Sequence, residues 1–256
     1  MLNSEASWQA RVAHAFSRAA PRYDVLATAQ RHIGEKLWGS LPPHAFNVLD
    51  MGCGTGYWTQ RLAERYPNAR ITGLDLAPGM LEQARQHHGE SIHWQPGDAA
   101  ALPFGKHAFD LVFSNLAVQW CPDIGAVMAE LYRALTPGGQ AHITTLLPGT
   151  LKEVARAWQR PEALLQTPDR ASVERAIGES GLTITRQTAT VERFYYPDLK
   201  AVMASIKGVG AQIARPQASL SRRDIATARA RFEQLRQPEG LPVSYHCLTL
   251  QLEKSL

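Results

Sequence analysis

The sequence predicts an α/β fold built on a doubly wound sheet of parallel strands joined by helical crossovers, and three observations predict it. From Phe46 onward, short apolar runs alternate with segments of helical period. A glycine-rich turn, MGCGTG, separates the first apolar run from the helix that follows. Asp75 closes the next apolar run, nineteen residues beyond Gly56.

Two helices precede the sheet. Residues 8–20 place Trp8, Val12, Ala15, Phe16 and Ala19 at helical spacing, and a second helix is predicted from Asp24 to about Gly39, ended by LPP. The alternation then runs FNVLDM, helix 57–66, ARITGLDL, helix 78–88, SIHWQ, FDLVFSN, helix 123–135 and GGQAHITTLL. Beyond Leu147 come helices near 151–160 and 171–179, the extended run LTITRQTATVERFYY, helices near 198–206 and 221–236, and a last strand VSYHCLTLQL. The helical material between those last two strands exceeds what a turn needs, so about 198–240 reads as an insertion. The predicted organisation is a single domain over 1–256: N-terminal helices at 1–45, a ligand-binding core at 46–147 and a C-terminal part at 148–256.

A chain of 256 residues that is 45% hydrophobic can bury a sizeable core. A formal charge of +4 on 20% charged residues is too mild to argue for nucleic acid, and no strip of interleaved basic and aromatic residues supports it. An acidic partner or an anionic substrate fits that charge. Cys53, Cys121 and Cys247 lie far apart without a CxxC pair, so neither a disulfide framework nor a metal site is expected, and reduced cytoplasmic thiols are. No leader-like apolar segment and no membrane span is read in the chain.

The glycine turn carries the chemistry. Asp50 ends a strand, and Gly52, Gly54 and Gly56 open into a helix near Tyr57, so the backbone can approach a ligand and offer N–H donors. Asp75 stands where a carboxylate accepts from both hydroxyls of a ribose. The spacing is GxGxG with an aspartate just upstream, not GxGxxG; a carboxylate there repels a pyrophosphate and welcomes an ammonium.

These residues resemble the class I methyltransferases, Rossmann-like folds whose sheet has seven strands with the last antiparallel. The resemblance implies S-adenosyl-L-methionine as cofactor and S-adenosyl-L-homocysteine as product. Asp50, Gly52, Gly54 and Gly56 would hold the amino-acid end, Asp75 the ribose, Leu76 and Met80 the adenine faces, and Asp98 with the Ala99 N–H the adenine edge. The stretch SNLAVQWCPD falls at the carboxyl end of the fourth strand, where open α/β sheets bind ligands, so Ser114 and Asn115 are expected to face the cofactor's reactive region.

That stretch is also very like the malonyl-acyl carrier protein O-methyltransferases of biotin synthesis, with a related form in methyltransferases acting on trans-aconitate. AFSRAAPRYD, ELYRALTPGG, TTLLPGTLKEVARAW, SIKGVGA and SYHCLTL match the first family along nearly the whole chain, whereas the extreme N-terminus and 161–180 match no pattern of it. The resemblance implies esterification of a malonyl thioester on an acidic acyl carrier protein, or on CoA, with a small free polycarboxylic acid as the alternative substrate. A carboxylate is already ionised at neutral pH, so no acid or base residue is expected, only positioning groups. Tyr23, Gln119, Trp120, Lys207 and Tyr245 are the candidates, with Arg18 weaker, and His246 should face away from Tyr245. Arg215, Arg222, Arg223, Arg229, Arg231 and Arg236 would steer an acidic carrier.

Overall fold

The computed structural model describes residues 2–159, 164–207 and 222–256. Val48, Leu49 and Met51 are fully buried, and the run that holds them forms β1 (Asn47–Met51) near the middle of the sheet. β2 (Arg70–Asp75), β3 (His93–Pro96), β4 (Phe109–Asn115) and β5 (Leu135–Leu146) follow, then β6 (Leu182–Tyr196) and β7 (Leu241–Lys254). The seven-stranded sheet has the order β3-β2-β1-β4-β5-β7-β6. β1 pairs in parallel with both β2 and β4, and β7 runs antiparallel to both β5 and β6. Strand order reverses between β1 and β4, and at that switch point the carboxyl ends of the strands part into a crevice.

Helices cover both faces. α2 (Thr28–Trp38), α3 (Tyr57–Arg65) and α4 (Pro78–His88) bring Leu37, Trp58, Leu62 and Leu81 into one core with Val48, Leu111 and Phe113. On the other face α5 (Ile124–Ala134) and α7 (Arg170–Ser180) bury Met128, Leu131, Val173 and Ile177 against Leu49, Val112 and Leu250. Asp123 and Asp169 cap α5 and α7, accepting from the Ala126 and Ser172 amides. A third core joins α6 (Lys152–Trp158), α8 (Leu199–Lys207) and α9 (Arg222–Glu233) to the β7 residues Leu241, Val243 and Tyr245.

The N-terminal helix differs from expectation. α1 runs unbroken from Leu2 to Leu26 through Pro21, and a turn at Ala27 separates it from α2. Proline has a helical φ and forfeits one internal bond; packing of Phe16, Ala20 and Tyr23 on Ala77 and Met80 holds the helix through it. At Gly79 of α4 an added Cβ would come within 2.8 Å of the Ser17 Cβ, so glycine lets α4 approach α1. β5 begins at Leu135, earlier than predicted, because Phe109 pairs with Leu135 before Leu111 pairs with Gln140. The TPGG turn is accommodated in that irregularity, with Gly138 at φ +74°.

His142, on β5, is 2% exposed, with Ser40 Oγ 2.9 Å from its Nδ1. Burial lowers its pKa from the ordinary 6.5 to about 4. Its folded pKa lies below the unfolded one, so as pH falls the unfolded chain takes up the proton first. The stability it contributes is present at pH 7 and lost on acidification through that window. Linkage puts the loss between pH 7 and pH 5 at about 2 kcal/mol. Urea unfolding of His142→Gln should therefore show a shallower decline over those two pH values than the parent chain; equal declines would remove His142 as the cause.

Candidate active site

The three glycines of the turn after β1 do different things. Gly52 has φ +81°, and a Cβ there would lie 2.2 Å from the Ala117 Cβ, so only glycine fits against the turn that follows β4. Gly56, at φ +87°, begins α3, and its Cβ would strike the Trp94 ring at 2.7 Å. At Gly54 the nearest atom to an added Cβ is Tyr23 Cε1, at 4.0 Å, so this glycine faces open space. The Gly52 and Cys53 amides donate to Leu74 O at 2.8 and 2.9 Å, tying the turn to the end of β2.

Asp75 ends β2 with both carboxylate oxygens engaged: the Gly54 and Ala77 amides donate to Oδ2 and Oδ1, each at 2.8 Å. Burial nevertheless pushes its pKa above the ordinary range, against the pull of those bonds. Asp50 is 2% exposed beneath the turn and accepts from Thr59 Oγ1 at 2.6 Å. Burial, opposed by the Thr59 bond and aided by the charge of Asp75, raises its pKa to about 7. Asp98 accepts from Gln9 Nε2 at 2.6 Å and from the Ala100 amide at 2.9 Å.

Two cavities open at the switch point. The first is floored by Gly52, Gly54 and Asp75, walled by Leu76, Met80, Asp98, Ala99 and Asn115, and roofed by Gln9, Val12, Phe16 and Tyr23 of α1. The second is lined by Gln119, Tyr245, Gln30, Leu146, Leu151 and Ile206, among others. Phe16, Tyr23, Leu116 and Trp120 line both, so the two meet there.

Eight of the expected cofactor residues thus line one cavity: Gly52, Gly54, Asp75, Leu76, Met80, Asp98, Ala99 and Asn115. Asp50, Gly56 and Ser114 do not line it. Ser114 is fully buried and donates to Met51 O at 2.8 Å, binding β4 to β1 instead of facing the crevice. Asp50 and Gly56 act from behind the turn, through Thr59 and Trp94.

Four of the five expected substrate residues, Tyr23, Gln119, Trp120 and Tyr245, gather at the second cavity. Lys207 is exposed at the end of α8 and does not line it. Trp120 is wall more than floor: its ring meets Phe16 edge to face at 5.2 Å, and its carbonyl accepts from Trp8 Nε1. Gln119 is 5% exposed, and its amide is engaged, donating to Leu116 O at 2.6 Å and accepting from Thr145 Oγ1 at 3.4 Å. It thereby braces Leu116, which sits at φ +54°. His246 alternates away from Tyr245 and packs near Gly149. Arg223 and Arg229 are exposed on α9, Arg231 is half-buried, Arg236 pairs with Glu233, and Arg215 lies outside the described residues.

Sequence reasoning did not find Gln9, Val12, Phe16, Gln30 or Cys121 at these cavities. The helical spacing of 9, 12, 16 and 23 was the available signal, but an apolar helix face reads as core. The Cys121 thiol is pushed up to about 12, by burial first and the nearby Asp98 charge second, so it stays protonated.

The first cavity suits a nucleoside carrying positive charge. Among the described residues that line it, Asp75 and Asp98 are the charged groups. Asn115 adds a buried Oδ1 without a partner; its Nδ2 donates to Gln30 O at 2.9 Å, which only the nitrogen can do, so the free atom is the acceptor. A methyltransferase-domain model matches residues 48–139, the segment that builds this cavity's floor and wall. Sheet order and cavity together define a class I S-adenosylmethionine-dependent methyltransferase.

A malonyl-acyl-carrier-protein O-methyltransferase from Serratia marcescens is 38% identical over 239 residues, covering 92% of each chain. The chain belongs to the malonyl-acyl-carrier-protein O-methyltransferase family. The biotin biosynthesis bifunctional protein BioHC of Cellvibrio japonicus is also 38% identical, over 95% of this chain, which spans 50% of that longer relative. In fold the chain is similar to a geranyl diphosphate C-methyltransferase from Streptomyces coelicolor solved with S-adenosyl-L-homocysteine. The TM-score is 0.56 at 15% identity, over 88% of this chain and 77% of that one.

Proposed function

We propose that this chain, acting as one methyltransferase domain, esterifies the free carboxylate of a malonyl group held as a thioester on an acyl carrier protein. The ester product serves biotin synthesis. The observation that carries this reading is the second cavity, which joins the cofactor cavity through Tyr23, Leu116 and Trp120 and draws on the segments that match the family.

Within the first cavity Asp75 takes the ribose hydroxyls, and Leu76 and Met80 take the adenine faces. Asp98 and the Ala99 amide take its edge, and Gly52, Gly54 and Asn115 Oδ1 the amino-acid end. When bound, the cofactor supplies an electrophilic methyl group. The protein's part is placement: a malonyl carboxylate is ionised at neutral pH and needs no proton removed. Phe16, Leu116 and Trp120 close the junction against water. Tyr23 and Tyr245 supply neutral O–H donors for the acid. Burial, aided by Asp75 for Tyr23, holds both phenols above their ordinary pKa, so both stay protonated. The exposed Arg223 and Arg229 on α9 suit the approach of an acidic carrier. No helix among the described residues is long and apolar enough to cross a membrane, which accords with work in the cytoplasm on a soluble carrier.

Purified protein with labelled cofactor should methylate malonyl-carrier protein with kcat/KM at least about ten-fold above free malonate or trans-aconitate, with malonyl-CoA as the third arm. Faster esterification of either free acid would replace this substrate.

A further inference from the structure

Gln119 was the residue expected to present an amide to the substrate, yet both ends of its amide are engaged within the protein. Gln30 of α2 lines the same cavity, and its Oε1 is sealed from solvent with no partner. We propose that Gln30 orients the substrate, its side-chain amide donating to the malonyl carboxylate or its thioester carbonyl. The inference rests on the substrate reading above and names the residue that reading lacked.

Gln30 is held at the seam between the cavities. The Asn115 Nδ2–Gln30 O bond pins the backbone of α2 to the carboxyl end of β4, with Asn115 lining the cofactor side and Gln30 the substrate side. The rest of the second cavity is largely apolar, from Leu116, Leu146, Leu151 and Ile206, with phenols at Tyr23 and Tyr245. A buried amide end without a partner is unfavourable, and in a cavity wall it is satisfied by what the cavity takes up. An amide turns either nitrogen or oxygen to a given point. A malonyl thioester presents hydrogen-bond acceptors only, so the Gln30 amide turns over from the orientation that leaves Oε1 without a partner, and its nitrogen meets the substrate.

The test compares Gln30→Met, which keeps the size and loses the donor, with Gln30→Glu, which keeps an acceptor and adds charge. Both preserve the backbone carbonyl that Asn115 binds. Gln30→Met should raise KM for malonyl-carrier protein about ten-fold, and Gln30→Glu at least as much, as expected for loss of a hydrogen bond to a charged group. The calorimetric Kd for S-adenosyl-L-homocysteine should stay within about two-fold of the parent in both, since Gln30 does not line that cavity. A parent chain active on malonyl-carrier protein, with variant KM values unchanged, overturns the role of Gln30 alone. A Gln30→Glu variant with parental KM overturns the donor assignment. A parent chain inactive on the malonyl thioester overturns the substrate reading and, with it, this proposal.

Discussion

Asp75→Ala is expected to lower affinity for S-adenosylmethionine about a thousand-fold while leaving the chain folded. The carboxylate is fixed by the Gly54 and Ala77 amides at 2.8 Å each, so its remaining lone pairs are already aimed when a ribose arrives. Each bond from a ribose hydroxyl to a charged acceptor contributes about 1.5–3 kcal/mol, and two give the expected loss. Alanine also frees the Gly54 amide, which lets the one turn glycine that faces open space drift. Stability should fall by about 1–3 kcal/mol, because removal relieves the desolvation that raises the Asp75 pKa but leaves the Gly54 and Ala77 amides without their acceptor. Asp75→Asn keeps one acceptor and should fall between the two. Calorimetry with S-adenosyl-L-homocysteine decides it: a Kd within about three-fold of the parent would exclude Asp75 from the ribose site.

The gathering of eight candidate cofactor residues at one cavity was legible because their signals are local. Gly52, Gly54, Asp75 and Asp98 each sit at or just beyond a strand end, so reading the strand rhythm places them at one edge of the sheet. Direction across the strand was not legible. Ser114 and Asn115 are adjacent and therefore point to opposite faces; one binds Met51 O inside the sheet and the other lines the crevice. The same ambiguity hid Asp50, whose carboxylate turns to Thr59 beneath the loop. The roof was misread for another reason. Val12 and Phe16 form an apolar stripe, and only the long-range docking of α1 on α4 shows that part of the stripe faces a cavity. Gln30 belongs to no motif; its position depends on an Asn115 bond across 85 residues of sequence. Lys207 shows the converse, since a glycine-flanked lysine in a matching segment looks like an anion ligand, yet it is exposed at a helix end.

Tyr23→Phe should reduce kcat about ten- to a hundred-fold with the cofactor Kd within about three-fold of the parent. The ring stays in the wall of both cavities, so what the variant loses is the hydroxyl. Its value lies in being a neutral donor. Burial and the neighbouring Asp75 charge push the phenol above its ordinary pKa, so it can bond one carboxylate oxygen without taking part in proton transfer. A hydrogen bond to a charged acceptor contributes about 1.5–3 kcal/mol, which gives that range when it is made to the reacting acid. The pH profile separates positioning from base catalysis. The carboxylate ionises near about 4 and the phenol well above neutrality, so whatever slope Asp50 gives both proteins, the ratio of parental to variant kcat should be constant from about pH 6 to 9. A ratio that climbs with pH, because the parent gains rate that Tyr23→Phe does not, would make Tyr23 a base. Unchanged kcat would remove it from the substrate's reach.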